Sequence, residues 1–333
     1  MYMTATLHRS CSSNKFDLHN MNGGNHMNPY LNINRLEFIL TQRCTGRCRH
    51  CSAGGMVKYP TGTHVPQEAA ARAVRELKNL YDVQSVMTFG GEPLLYPEVT
   101  CAIHRAAAEA GIPKRQLITN GFFSRDIMRM RDVAQALAEA GVNDVLISVD
   151  AFHQETIPLE PVRYFALAVK SAGVEKVHFS PAWVVNEAFD CPENTRTREI
   201  LASLADTGLP VGEGNDIFMA GNAIDNLSHY YPPAKLAVQD CCGSMPYTEP
   251  LTNQTSLSIE PDGSVSVCGF VIGNVCSETM QDIVTRYDPY ADEGMRAAAA
   301  GVPGLLALAE KRGVKVDISR CWSVCDLCRM VNK

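Results

Sequence analysis

A chain of 333 residues, 46% hydrophobic and 20% charged, can bury one large core or a main domain with a smaller one. Its formal net charge of -6, without a block of basic residues, gives no electrostatic case for nucleic acid. No apolar stretch approaches a membrane span, since even Ala297 to Ala309 is interrupted by glycines and a proline, and thirteen cysteines without a secretory signal suit metal-held thiols in a reducing cytoplasm.

The first thirty or so residues are polar and rich in Asn, Ser and His, so residues 1–33 read as a disordered or extra leader, with Met27 an alternative start and Cys11 incidental. From Arg35 onward short apolar runs alternate with helical stretches, the pattern of a parallel sheet or barrel. Strands are predicted at Leu36 to Thr41, Ser85 to Phe89, Gln116 to Thr119, Asp144 to Val149 and Lys176 to Phe179, with a weaker one near Ile217 to Met219. Helical spacing marks Gln67 to Leu80, Glu98 to Ala110, Arg125 to Ala140, Pro161 to Ala172 and Thr195 to Thr207. These units predict an α/β fold with an open, partial (β/α)6 barrel over residues 34–230. In residues 231–333 the pattern changes. Ser256 to Cys268 alternate around Pro261-Asp262-Gly263, which predicts a β-hairpin, and a helical stretch runs from Glu278 to Tyr287.

Cys44, Cys48 and Cys51 follow the first predicted strand with the spacing C-x-x-x-C-x-x-C. Three thiolates hold three irons of a [4Fe-4S] cube and leave the fourth open for a ligand, whereas an electron carrier seals all four. The alternative is a zinc site completed by His50, although neighbours such as His50 and Cys51 rarely reach one tetrahedral ion without strain. After the second predicted strand comes Gly90-Gly91-Glu92-Pro93, where two glycines let a ligand approach the backbone and the proline holds the turn.

Together the two motifs resemble those of the radical S-adenosylmethionine (radical SAM) family, over roughly Arg35 to Gly221. The resemblance implies that Cys44, Cys48 and Cys51 hold a [4Fe-4S] cluster whose open iron takes SAM. It also implies that the Gly90, Gly91, Glu92 and Pro93 stretch holds the methionine amino group. His50 stands where the family often has Phe, Tyr or Trp, and keeps a flat ring beside SAM's adenine. In barrels the chemistry sits at the carboxyl ends of strands, which brings the cysteines, Gly90 to Pro93, Asn120-Gly121, and Ser148 with Asp150 to one mouth. Asn120, Ser148 and Asp150 are thus further SAM contacts by resemblance. A hydroxyl and a carboxylate suit ribose, against the plainer reading that Asp150 caps the next turn. His153 is either a substrate contact or a surface histidine, and Arg47 and Arg49 either pair with SAM's carboxylate or a peptide, or are exposed.

The hairpin with its Gly263-x-x-x-x-Cys268 end, and Cys321, Cys325 and Cys328 near the carboxyl terminus, resemble the SPASM and twitch extensions of that family. The seven-cysteine SPASM pattern is incomplete, so one auxiliary [4Fe-4S] cluster is expected, in a small hairpin-plus-helix domain over 231–333. Its ligands come from Cys241, Cys242, Cys268, Cys321, Cys325 and Cys328, two more than a cube requires. Adjacent residues of an extended segment point to opposite sides, so one of Cys241 and Cys242 is a ligand and the other either a hydrogen-atom donor or a buried small hydrophobe. Cys101, Cys191 and Cys276 read as packing.

The resemblance implies reductive cleavage of SAM and hydrogen abstraction from a ribosomal peptide, with L-to-D epimerisation at Cα completed by the Cys241 or Cys242 thiol. The alternatives are peptide thioether or carbon-carbon crosslinking, oxidation of the sulfatase-maturase kind, and a non-catalytic iron-sulfur carrier. The expected partners are a peptide substrate, a flavodoxin or ferredoxin as electron donor, and a separate peptide-recognition protein; neither nucleic acid nor membrane is expected.

Overall fold

A computed structural model describes residues 28–54, 59–232, 236–245 and 248–332. The expected leader, with Cys11, lies up to residue 27 outside the described residues. Strand and helix alternate through β1 (Leu31–Ile39), α1 (Gln67–Leu80), β2 (Ser85–Phe89), α2 (Pro97–Glu109), β3 (Lys114–Thr119), α3 (Ile127–Glu139), β4 (Asp144–Ser148), α4 (Leu159–Ser171) and β5 (Lys176–Ser180). There follow β6 (Ala182–Trp183), α5 (Pro192–Ala202), β7 (Asn215–Asp216), α6 (Asn222–Leu227), β8 (Gln254–Ile259), β9 (Ser264–Val267), β10 (Phe270–Asn274), α7 (Met280–Thr285), α8 (Glu293–Ala299), α9 (Gly301–Lys311) and α10 (Val324–Val331). The chain divides into two compact units, one of Asn32–Pro232 with Thr255–Val284, the other of Pro233–Gln254 and Thr285–Lys333 with the segment ending at Leu31.

The first unit is built on a mostly parallel sheet with the order β10-β9-β8-β1-β2-β3-β4-β5. Parallel pairing from β1 to β5 sets Ile39 beside Phe89, Thr88 beside Leu117, Thr119 beside Ile147 and Ser148 beside Ser180, so the carboxyl ends of all five strands lie at one edge. Such a sheet needs helices to cover it. Helix α3 starts where the Asp126 side chain accepts from the amides of Met128 and Arg129, and buries Met130, Val133, Ala134 and Leu137, spaced by three and four residues. These pack with Leu117, Val145, Ile147, Val177 and Phe179 of the strands and Val162, Phe165 and Val169 of α4 in one core. Truncating Leu137 there removes about 2–5 kcal/mol.

The alternate residues of the same strands are of another kind. Glu37, Gln116, Leu146, Ser148, His178 and Ser180 occupy the positions between the core residues, and all but Gln116 keep partial exposure. One sheet face is thus apolar and covered; the other mixes these polar residues with Ile39, Met87, Phe89 and Ile118 and is open in part, as the interior of a partial barrel can be.

Helices α6, α8, α9 and α10 have no counterpart in the expectation, and two expected elements differ. Ile217 to Met219 is not a strand; β7 lies just before it and pairs with β6 in a separate two-stranded sheet. The expected hairpin forms as β8 and β9, but a third strand, β10, pairs back on β9. Its turn is Cys268-Gly269, with φ of 49° and 85°, the doubly positive pair that closes a tight hairpin.

In the second unit Tyr30 O accepts from Gln254 N at 2.9 Å, and Tyr287 Oη donates to Leu251 O at 2.7 Å. Helix α10 is capped by Ser323, whose hydroxyl accepts from Asp326 N. Among the described residues no helix is long and apolar enough to cross a membrane.

Candidate active site

The chain leaves β1 at Leu40, whose amide donates to Phe89 O at 2.9 Å, and enters the cysteine loop. Thr41 starts it, donating its hydroxyl to Thr63 O at 2.9 Å and accepting from Arg43 N at 3.2 Å. Bonds from Cys51 N to Cys48 O and from Gly54 N to Cys51 O form two successive turns. The sulfur of Cys44 accepts from Gly46 N at 3.3 Å and from the Asn120 side-chain amide at 3.5 Å.

Gly90 and Gly91 are required by this loop as much as by any ligand. Gly91 N donates to Thr41 O at 2.7 Å and Glu92 N to Arg43 O at 2.8 Å. A Cβ on Gly90, at φ 129°, would lie 2.6 Å from Thr41 O. Glu92 is fully buried; Oε1 accepts from Leu94 N and Thr119 Oγ1 at 2.9 and 2.7 Å, and Oε2 from Asn120 N at 2.8 Å. Burial pushes its carboxyl up to about 7 in spite of those bonds.

The other predicted residues have assigned places. The Asn120 side chain accepts from Phe122 N at 2.8 Å and donates to Thr45 Oγ1 at 3.0 Å, bracing the cysteine loop. Ser148 lies at the end of β4 on the partly open face, beside Ser180. Asp150 is fully enclosed: Oδ1 accepts from the amides of Phe152 and His153, and Oδ2 from His153 Nδ1 at 2.7 Å and Ala182 N at 3.1 Å. It holds the turn, the plainer of its two readings. Burial alone would raise its carboxyl; the charge and hydrogen bond of His153 bring it down to about 2. The ring of His50 packs 4.9 Å from that of Phe152, and burial keeps it neutral, its pKa lowered to about 4. Arg49 keeps a partly exposed side chain that forks onto Glu155 at 2.7–3.1 Å and lies 3.5 Å from Glu193. The amide of Arg47 donates to Thr156 Oγ1.

Sequence reasoning missed Gly221 and Asn222. Asn222 N donates to Cys51 O at 3.0 Å and its side chain to Cys48 O at 3.2 Å. Gly221, at φ 55°, passes so close that a Cβ would lie 2.4 Å from Ser52 O. The signal was a Gly-Asn pair after an apolar run, in the position of a strand end.

Five of the auxiliary-cluster candidates, Cys241, Cys242, Cys321, Cys325 and Cys328, belong to the second unit, and Cys268 to the first. Cys325 and Cys328 share one face of α10. Cys328 Sγ accepts from the Asn332 side chain at 3.5 Å, and the Cys321 thiol lies 3.7 Å from Asp317 O.

A tetrahedral ion with metal-sulfur bonds of about 2.3 Å needs its ligand atoms within about 4 Å of one another. Among the described residues the group with all ligand atoms within 4.8 Å is Cys48, His50 and His153; the three cysteines are not such a group. Three thiolates in one loop with the spacing C-x-x-x-C-x-x-C are the donor set that a [4Fe-4S] cluster with one open iron takes.

Residues 38–179 match the Radical SAM superfamily, and that span carries both motifs. The chain is similar to GTP 3',8-cyclase of Limosilactobacillus fermentum, 32% identical over 117 residues, 35% of this chain and 33% of that one. It is also similar to GTP 3',8-cyclase of Mycolicibacterium smegmatis, 33% identical over 150 residues, 43% of this chain and 40% of that one. The chain spans about a third of the length of the first of these relatives. Among solved structures, native anSMEcpe with bound AdoMet aligns with a TM-score of 0.50 at 14% identity, over 90% of this chain and 95% of that one, which shows the fold. The family matched over residues 38–179 implies SAM and a [4Fe-4S] cluster, and Cys44, Cys48 and Cys51 are the residues that would hold the cluster.

Proposed function

We propose that this chain is a radical SAM enzyme that abstracts hydrogen from a polar substrate held in its barrel. When bound, the cluster and SAM supply an electron and the 5'-deoxyadenosyl radical that takes the hydrogen. The observation that carries the reading is the seam at Gly91 and Glu92, whose amides donate to the carbonyls of Thr41 and Arg43 while Gly90 packs against Thr41, so the cysteine loop and the Gly90 to Pro93 stretch are one body. The partly open strand face, where Glu37, His178 and Ser148 stand among apolar residues, supports a substrate with hydrogen-bonding groups.

For the substrate class the reading is a ribosomally made peptide, epimerised from L to D at Cα, with the Cys241 or Cys242 thiol returning the hydrogen atom, the thiyl radical it leaves restored by one electron from the external flavodoxin or ferredoxin and one proton from water, and with one auxiliary [4Fe-4S] cluster. A second reading, cyclisation of GTP, is favoured by what the relatives are named, over the third or so of their length that is matched.

The test is anaerobic reconstitution with iron and sulfide, reduction, and addition of SAM with candidate peptides or GTP in deuterated water. Formation of 5'-deoxyadenosine that is abolished by Cys48→Ala is expected, with a D-residue carrying one deuterium at Cα. A product of GTP without peptide turnover favours the second reading, and a chain that binds iron yet never yields 5'-deoxyadenosine overturns both.

A further inference from the structure

We propose that His153, fixed by the buried Asp150, is a positioning residue that hydrogen-bonds the sulfur of Cys48 and raises the reduction potential of the cluster held there. The inference rests on the reading above that Cys44, Cys48 and Cys51 hold a [4Fe-4S] cluster.

The Asp150 side chain has no freedom. It is 0% exposed, and its two oxygens accept from Phe152 N, His153 N, His153 Nδ1 and Ala182 N, so it ties its own turn to β6. The Asp150 to Thr156 turn is in turn fastened to the cysteine loop, through Thr156 Oγ1 with Arg47 N at 3.1 Å and Glu155 with Arg49. Its imidazole therefore keeps one orientation, with Nδ1 committed to Asp150 at 2.7 Å and the far nitrogen left for another partner. That partner is Cys48, 8% exposed, whose sulfur belongs to the group with His153 and His50 within 4.8 Å. The His50 ring stands 5.0 Å from that of His153 at 63°, walling the contact from one side.

A carboxylate behind a histidine that faces a metal ligand is the usual way an outer partner fixes ring and tautomer. Hydrogen bonds to cluster sulfurs are among the levers that set iron-sulfur potentials, because they stabilise the extra negative charge of the reduced state. Cys44 already receives such donors, from Gly46 N and the Asn120 amide. His153 supplies the corresponding donor to Cys48, from a side chain.

The experiment is an EPR-monitored redox titration of the reconstituted full chain, without SAM, comparing His153→Phe, which keeps a ring and loses the donor, with His153→Gln, which keeps a donor. At the wild-type midpoint the Phe variant is expected to show a reduced-to-oxidised ratio about tenfold lower, a shift of about 59 mV for one electron, and the Gln variant most of the wild-type ratio. Equal midpoints at equal iron content in the three proteins overturn the proposal and leave the cluster reading intact. Failure of the wild type to assemble any cluster overturns that reading and the proposal with it. Should His153→Phe fail to assemble, pulsed EPR of reduced His50→Phe protein labelled with nitrogen-15 histidine decides. Coupling to a histidine nitrogen supports the contact, and its absence overturns it. A zinc ion that copurifies with the wild type and is lost in both variants also overturns it, since Cys48, His50 and His153 would then be an ion site.

Discussion

Gly91 lies so close to Arg43 that a Cβ at residue 91 would sit 2.1 Å from the Arg43 carbonyl oxygen. The contact is backbone to backbone, so no side chain can swing aside to relieve it. Gly91→Ala is expected to push the cysteine loop off the second motif, at about 1–3 kcal/mol for an overpacked site. Iron content after reconstitution and the thermal midpoint of the cluster-free chain check this: both should fall. Gly62→Ala is a poor control for it, because Gly62 has φ 97° and carries its own strain; Gly54 faces Asn222 and is no better. Ala108→Gly, on the last turns of α2, serves instead and should lower stability only by about the helix propensity difference of 1 kcal/mol.

Glu92 gives the fold a pH dependence of unusual sign. A carboxyl raised from 4.5 to about 7 keeps its proton in the folded state where the unfolded chain has lost it. Its contribution is therefore fully present below about 4.5 and lost as pH rises through about 7, by up to about 3 kcal/mol. Glu92→Gln removes that dependence, yet its amide faces the Asn120 N–H with a second donor, at about 1–3 kcal/mol. Urea unfolding at pH 5.5 and 8 should show the variant less stable than the parent at the lower pH and closer to it at the higher.

Asn222 binds the cysteine loop from a segment 171 residues beyond Cys51, by amides to Cys51 O and Cys48 O. Asn222→Ala keeps the first bond and loses the second, for about 1 kcal/mol. The expected consequence is local, a looser loop with little change in global stability. The rate at which visible cluster absorbance bleaches in air should rise, while circular dichroism and thermal midpoint stay near those of the parent.

The strand-end convergence was legible because it follows from period and punctuation: five apolar runs, each followed by a polar or glycine-bearing turn, feed one edge of the sheet. The cysteine spacing and Gly90-Gly91 were legible for the same local reason. What a side chain does across the fold was not. Asp150 could be read as a ligand contact or a turn cap, and the choice depends on Ala182 and His153 arriving at its oxygens. The carboxylate partners of Arg49 were not legible because Glu155 and Glu193 are 106 and 144 positions away in the chain. Strand β10 was hidden by its turn, since Cys268 at φ 49° is a rare conformation for a residue with a Cβ and Gly269 was the sole cue.

The proposed auxiliary cluster is separable by iron count from the cluster proposed at Cys44, Cys48 and Cys51. Two cubes require about eight irons per chain, and one requires about four. Replacing Cys44, Cys48 and Cys51 together by alanine should leave about four irons, held by the second unit's cysteines. Cys325→Ser with Cys328→Ser takes two thiols from one face of α10 and should leave about four as well, with 5'-deoxyadenosine formation retained because the cysteine loop is untouched. Cys241→Ala and Cys242→Ala distinguish the adjacent pair: the ligand variant loses iron, and the other keeps it. Iron and sulfide analysis with Mössbauer spectra of each reconstituted variant reads the outcome. A parent chain with only four irons, all lost in the Cys44, Cys48 and Cys51 variant, would remove the second cluster and leave Cys321, Cys325 and Cys328 as packing thiols.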